Sequence, residues 1–88
     1  MPTIQQRFGK RVRELRLARG WTQEGLAHRA GKHWTYIGGI ERGTRNPTIS
    51  VVEDIARALE VPVSELFVNV GTPGDDAAPP GEDPQRAG

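Results

Sequence analysis

"QEGLAHRAGKHWTYIGGI", residues 23–40, decides how this chain is read. Ala27 lies four residues after Gln23, and Gly31 four after that; Ile37 and Ile40 follow six and nine residues beyond Gly31. Each step has a geometric reason. Two helices that cross at about 90–120° through a turn of three to four residues need a small side chain where they touch, which Ala27 supplies. The turn needs a residue that tolerates positive φ, which suits Gly31. The second helix needs two apolar residues one turn apart to anchor it, and Ile37 and Ile40 meet that need while leaving the opposite face free. The spacing therefore predicts a helix over 23–30 capped by Thr22 and a second from about His33 to Arg42, stopped by Gly43.

Outward from this pair the chain stays helical. Ile4, Phe8, Val12 and Leu15 form one apolar stripe on a first helix that ends at Gly20. "TRNP" reads as a loop, because the residue before proline avoids the helical region. Thr48 then caps a helix whose inward stripe is Ile49, Val52, Ile55, Ala56 and Leu59, and "PVSELF" reads as a short fifth helix with Pro62 in its first turn. No alternating strand pattern and no internal repeat occur, so the expected fold is all-α, with one five-helix domain over residues 1–70. Residues 71–88, "GTPGDDAAPPGEDPQRAG", are rich in Pro, Gly and acids and carry no large apolar side chain. They read as a disordered acidic tail.

Composition narrows the class. The chain has 88 residues and no cysteine, so neither a disulfide nor a thiolate metal site supports the fold. No segment approaches the 18 apolar residues of a membrane span, and the N-terminus lacks a signal-peptide core, which points to a cytoplasmic protein without a membrane partner. The net charge of +1 conceals a polarised chain: residues 1–46 carry +7, residues 47–70 carry −3 and residues 71–88 carry −3. A basic first half suits a phosphate-binding surface. His28 and His33 sit on either side of the turn without a third ligand, so no metal site is expected. No nucleophile elbow, phosphate loop or paired acids occur, and a core this small leaves little room for a pocket; the chain does not read as an enzyme, and no cofactor or small-molecule ligand is evident.

The motifs "RELR", "TQEGLA", "YIGGIERG", "RNPT" and "ARALEV" give residues 8–67 a resemblance to the Cro/CI-type (XRE) helix-turn-helix domain of the lambda-repressor-like fold. Within that family, the short chain and "TYIGGIERGTRN" look most like the small controller proteins of restriction–modification systems. The resemblance implies a sequence-specific transcriptional regulator that binds double-stranded DNA as a homodimer on a pseudo-palindromic operator, regulated by its own concentration. By position it assigns Gln23 to a phosphate, with local capping as the other role. It assigns His33, Trp34 and Thr35 to the start of the recognition helix, Tyr36 to the backbone or a base, and Arg45 and Asn46 to phosphates. It also implies a partly buried ion pair between Arg16 and Glu41, which removes Arg16 from the DNA contacts.

Gly39 fits the family and Gly38 departs from it. Both read as places where the recognition helix comes close to DNA, or as residues of a helix that DNA or a partner subunit orders. Trp34 departs too, since base-reading positions more often carry a hydrogen-bonding side chain. Val63, Leu66, Phe67 and Val68, with Val70, read as an exposed apolar end, and the family assigns that surface to homodimerisation. An antitoxin-type module that holds a partner protein is the alternative use of the same surface.

Overall fold

A computed structural model describes residues 1–71, and all that follows concerns them. Helix α1 spans Ile4–Ala18, α2 Gln23–Ala30, α3 Trp34–Arg42 and α4 Ile49–Leu59; a 3-10 turn over Val63–Phe67 stands where the fifth helix was expected. Five residues after Pro62, itself extended at ψ 153°, are too few for a stable α-helix. No strand occurs among the described residues. Apart from Gly71, the segment read as a tail lies outside them.

Local chemistry fixes the helix ends. Thr3 and Gln6 close a capping box at the start of α1, with Gln6 N–H donating to Thr3 Oγ1 at 3.1 Å and Thr3 N–H to Gln6 Oε1 at 2.8 Å. Thr22 and Thr48 cap α2 and α4 as expected. Gly31 ends α2 at φ +68°, where a Cβ-bearing residue would be strained.

The core joins every element: Phe8 and Val12 from α1, Leu26 and Ala27 from α2, Ile37 and Ile40 from α3, Val52, Ile55, Ala56 and Leu59 from α4. Leu66 and Val70 complete it, and both are fully enclosed. That corrects the expectation of an apolar end at the last turn: Leu66 is a core residue and is not available to a second subunit. Within the 3-10 turn only Leu66 is buried, while Val63, Phe67 and the following Val68 remain partly exposed. Ile4 and Ile49, placed on inward stripes by periodicity, are exposed as well, because each opens its helix beyond the edge of the core.

Helix α1 crosses α3 at Gly9. A Cβ there would stand 2.1 Å from Ile40 O and 2.6 Å from Glu41 O, so the crossing exists only because residue 9 has no side chain. Sequence periodicity offered no sign of this contact.

Candidate nucleic-acid interface

Helices α2 and α3 with residues 31–33 between them form a helix-turn-helix, and Ala27 is buried where the two pack. Ile37 and Ile40 fasten α3 to the core, so Trp34, Thr35 and Arg42 lie on its free side.

The orientation of α3 is set by a polar network. Arg16 on α1 holds Glu41 on α3 with both arms of its guanidinium, Nε donating to Oε2 at 2.7 Å and Nη2 to Oε1 at 3.0 Å, while Nη1 donates to Trp21 O at 2.7 Å. Both side chains are almost wholly buried, at 8% and 3% exposed. The hydrogen bonds to Glu41 raise the Arg16 guanidinium above its ordinary range, so Arg16 stays charged. Gln23, the first residue of α2, joins the network by donating from Nε2 to Glu41 Oε1 at 3.0 Å. Its first partner is therefore neither a cap nor solvent, and three helices meet at one carboxylate.

The same wiring answers what the two glycines do. A Cβ on Gly38 would meet Arg42 Nη1 at 3.1 Å and Gln23 Oε1 at 3.3 Å; a Cβ on Gly39 would meet Arg45 Cγ at 2.8 Å and Thr44 Oγ1 at 3.2 Å. The close approach is intramolecular. Gly39, expected as a DNA contact, is buried beneath Arg45 and Thr44, and Gly39 O accepts from Thr44 N at 2.9 Å and Thr44 Oγ1 at 3.1 Å. Its role is to let the loop after α3 fold back onto the helix. Arg45 is held there with its guanidinium 5.7 Å from the centre of the Tyr36 ring.

His33 caps α3: Thr35 N–H donates to its Nδ1 at 3.2 Å, and Thr35 Oγ1 lies 2.8 Å from the same nitrogen. With Nδ1 accepting from the Thr35 N–H, the neutral ring carries its proton on Nε2. The Thr35 hydroxyl, with its proton turned to His33, presents an acceptor. Trp34, 49% exposed, stacks on the His33 ring at 6.1 Å. Asn46 lines an apolar groove with Pro47 and Ile49.

Charge that is polarised along the chain is partly neutralised by the fold. Arg11 pairs with Glu65, Arg19 with Glu60 and Lys32 with Asp54, each an acid of the second half. Among the described residues, Arg7, Lys10, Arg13, Arg29, Arg42 and Arg45 form no ion pair, and two of these, Arg42 and Arg45, border the free side of α3. Arg42 was not singled out from the sequence; its place one turn beyond Gly38 is the signal that finds it. No three His, Cys, Asp or Glu side chains among the described residues gather as a metal site, and no helix among them is long and apolar enough to cross a membrane.

Comparison with known proteins agrees with this geometry. The family model described as "Helix-turn-helix" matches residues 12–66, more than half of the chain. The chain is 43% identical over 67 residues to the control protein C.BamHI of Bacillus amyloliquefaciens, an alignment covering 73% of this chain and 83% of that one. Its structure is similar to that of the restriction–modification controller C.AhdI from Aeromonas hydrophila, with TM-score 0.71 and 44% identity over 72% of this chain and 96% of that chain. It is also similar to the controller C.Esp1396I, solved as a tetramer in complex with its natural 35-base-pair operator, with TM-score 0.71 and 36% identity over 80% of this chain and 92% of that chain. The protein belongs to the Cro/CI-type (XRE) helix-turn-helix family, and its relatives include controller proteins of restriction–modification systems.

Proposed function

We propose that this protein is a sequence-specific DNA-binding transcriptional regulator of the controller type. The observation that carries the reading is α3: anchored by Ile37 and Ile40, held in orientation by the Arg16–Glu41 pair, and bordered on its free side by the unpaired cations Arg42 and Arg45. A helix so presented fits a major groove, with Trp34 and Thr35 at base edges and Arg45 at a phosphate. The exposed His33 ring supplies a further phosphate donor.

Substitutions separate these roles. Trp34→Ala or Thr35→Ala is expected to lower the preference for operator over random DNA by about 1–3 kcal/mol, whereas Arg45→Ala weakens all sequences alike and lowers the salt slope by ~1. Fluorescence anisotropy on specific and scrambled duplexes checks both. Equal losses on all DNA for Trp34→Ala would contradict its reading role.

The regulator acts as a homodimer on half-sites about 34 Å apart. The surface that supports this is an apolar groove of about 260 Å³ lined by Ile4, Phe8, Pro47, Ile49 and Phe67. Ile49 is 83% and Phe67 44% exposed, and Val63 and Val68 lie partly exposed on the same final turn. A second copy burying these side chains removes them from water. Ile49→Lys is expected to leave the fold intact and shift the protein to monomer in sedimentation, with loss of operator affinity. Unchanged affinity at concentrations where the protein is fully monomeric would contradict the coupling.

A further inference from the structure

Gly38 holds two other side chains together. Gln23 Nε2 is committed to Glu41, which fixes the amide so that its Oε1 is the end lying over Gly38. Arg42 Nη1 lies over the same point: it comes within 3.1 Å, and Gln23 Oε1 within 3.3 Å, of where a Cβ on Gly38 would stand. No ion pair or hydrogen bond among the described residues engages the Arg42 guanidinium or Gln23 Oε1. An acceptor and a cationic donor fork thus approach one point over Gly38 on the free side of α3, with Gln23 Cδ next at 3.8 Å.

This pattern is the complement of one base pair. In the major groove a G·C pair presents two acceptors on guanine, N7 and O6, followed by the amino donor of cytosine N4. An A·T pair would set the adenine amino group against the guanidinium. We propose that Gln23 and Arg42, brought together by the missing side chain of Gly38, read one G·C pair in each half-site, Arg42 donating to guanine and Gln23 Oε1 accepting from cytosine N4. This rests on the DNA-binding reading above. It changes the role of Gln23 from a phosphate contact to a base contact and makes Gly38 a specificity determinant. An alanine at 38 places its Cβ between the two side chains and drives them apart, while strengthening α3, because alanine is the better helix former.

The test is binding-site selection from random duplexes by the full chain, followed by sequencing, for wild type, Arg42→Ala, Gly38→Ala and, as a phosphate control, Arg45→Ala. The expected result is a wild-type half-site with one strongly preferred G·C pair. That preference falls about ten- to a hundredfold in Arg42→Ala with the other positions retained. Gly38→Ala loses the same preference while its thermal midpoint is unchanged or raised. Arg42→Ala reducing recovery of every sequence alike, as in Arg45→Ala, would overturn the proposal, as would a half-site with no G·C preference that depends on Arg42. Wild type enriching no sequence would instead overturn the DNA-binding reading on which the proposal stands.

Discussion

Arg16→Met is expected to destabilise the domain by about 3–5 kcal/mol, because it leaves Glu41 buried and charged without its partner. For a domain of this size that corresponds to a fall in thermal midpoint of roughly 12–40 °C, read by circular dichroism. The magnitude follows from burial. An exposed ion pair contributes only about 0–1 kcal/mol, but Glu41 is 3% exposed, and its two oxygens accept both guanidinium bonds and the Gln23 amide. Replacing both partners with apolar residues in Arg16→Met/Glu41→Leu is expected to recover much of the stability. It would still release Gln23, so base discrimination should stay impaired when folding is restored. A loss under about 1 kcal/mol for Arg16→Met would show that the pair behaves as a surface contact and would contradict its role in orienting α3.

Gly9→Ala is the second large effect. The added Cβ would stand 2.1 Å from Ile40 O, a backbone atom that cannot swing aside, so α1 and α3 must separate. Overpacking of this kind costs about 1–3 kcal/mol and occasionally more. It outweighs the roughly 1 kcal/mol that alanine gains over glycine in a helix interior. Gly25→Ala is the matched control. Its Cβ would meet only Thr22 Oγ1 at 3.4 Å and Trp21 Cβ at 3.7 Å, ordinary contact distances. That substitution is expected to be neutral or to stabilise by about 0.5–1 kcal/mol. Of the two variants, identical in chemistry, only Gly9→Ala should lower the thermal midpoint. A stabilising Gly9→Ala would contradict the tight α1–α3 crossing.

What the sequence made legible was what repeats or caps. The period of Val52, Ile55, Ala56 and Leu59, the anchors Ile37 and Ile40, and the capping threonines 22 and 48 are local signals, and the elements they mark stand where they were expected. The pair Arg16–Glu41 came from resemblance to a family rather than from any local pattern, and it is present with both hydrogen bonds. What stayed hidden depends on contacts between distant residues. Leu66 and an exposed Ile49 look alike in a sequence, and only the packing of a 3-10 turn against α1 and α4 sends one inward. Gly9, Gly38 and Gly39 carry no side chain to form a pattern, so their function lies in what they admit: the carbonyls of α3, the pair Gln23 and Arg42, and the returning Arg45.

Whether α3 reads a specific DNA sequence is decided by fluorescence-anisotropy titration at two salt concentrations. The duplexes are the region upstream of the protein's own gene and a scrambled sequence of equal length. Tight binding to the first is expected, with binding to the second weaker by ~10³-fold or more and both weakening as salt rises. Weak and equal binding to both duplexes would contradict that reading.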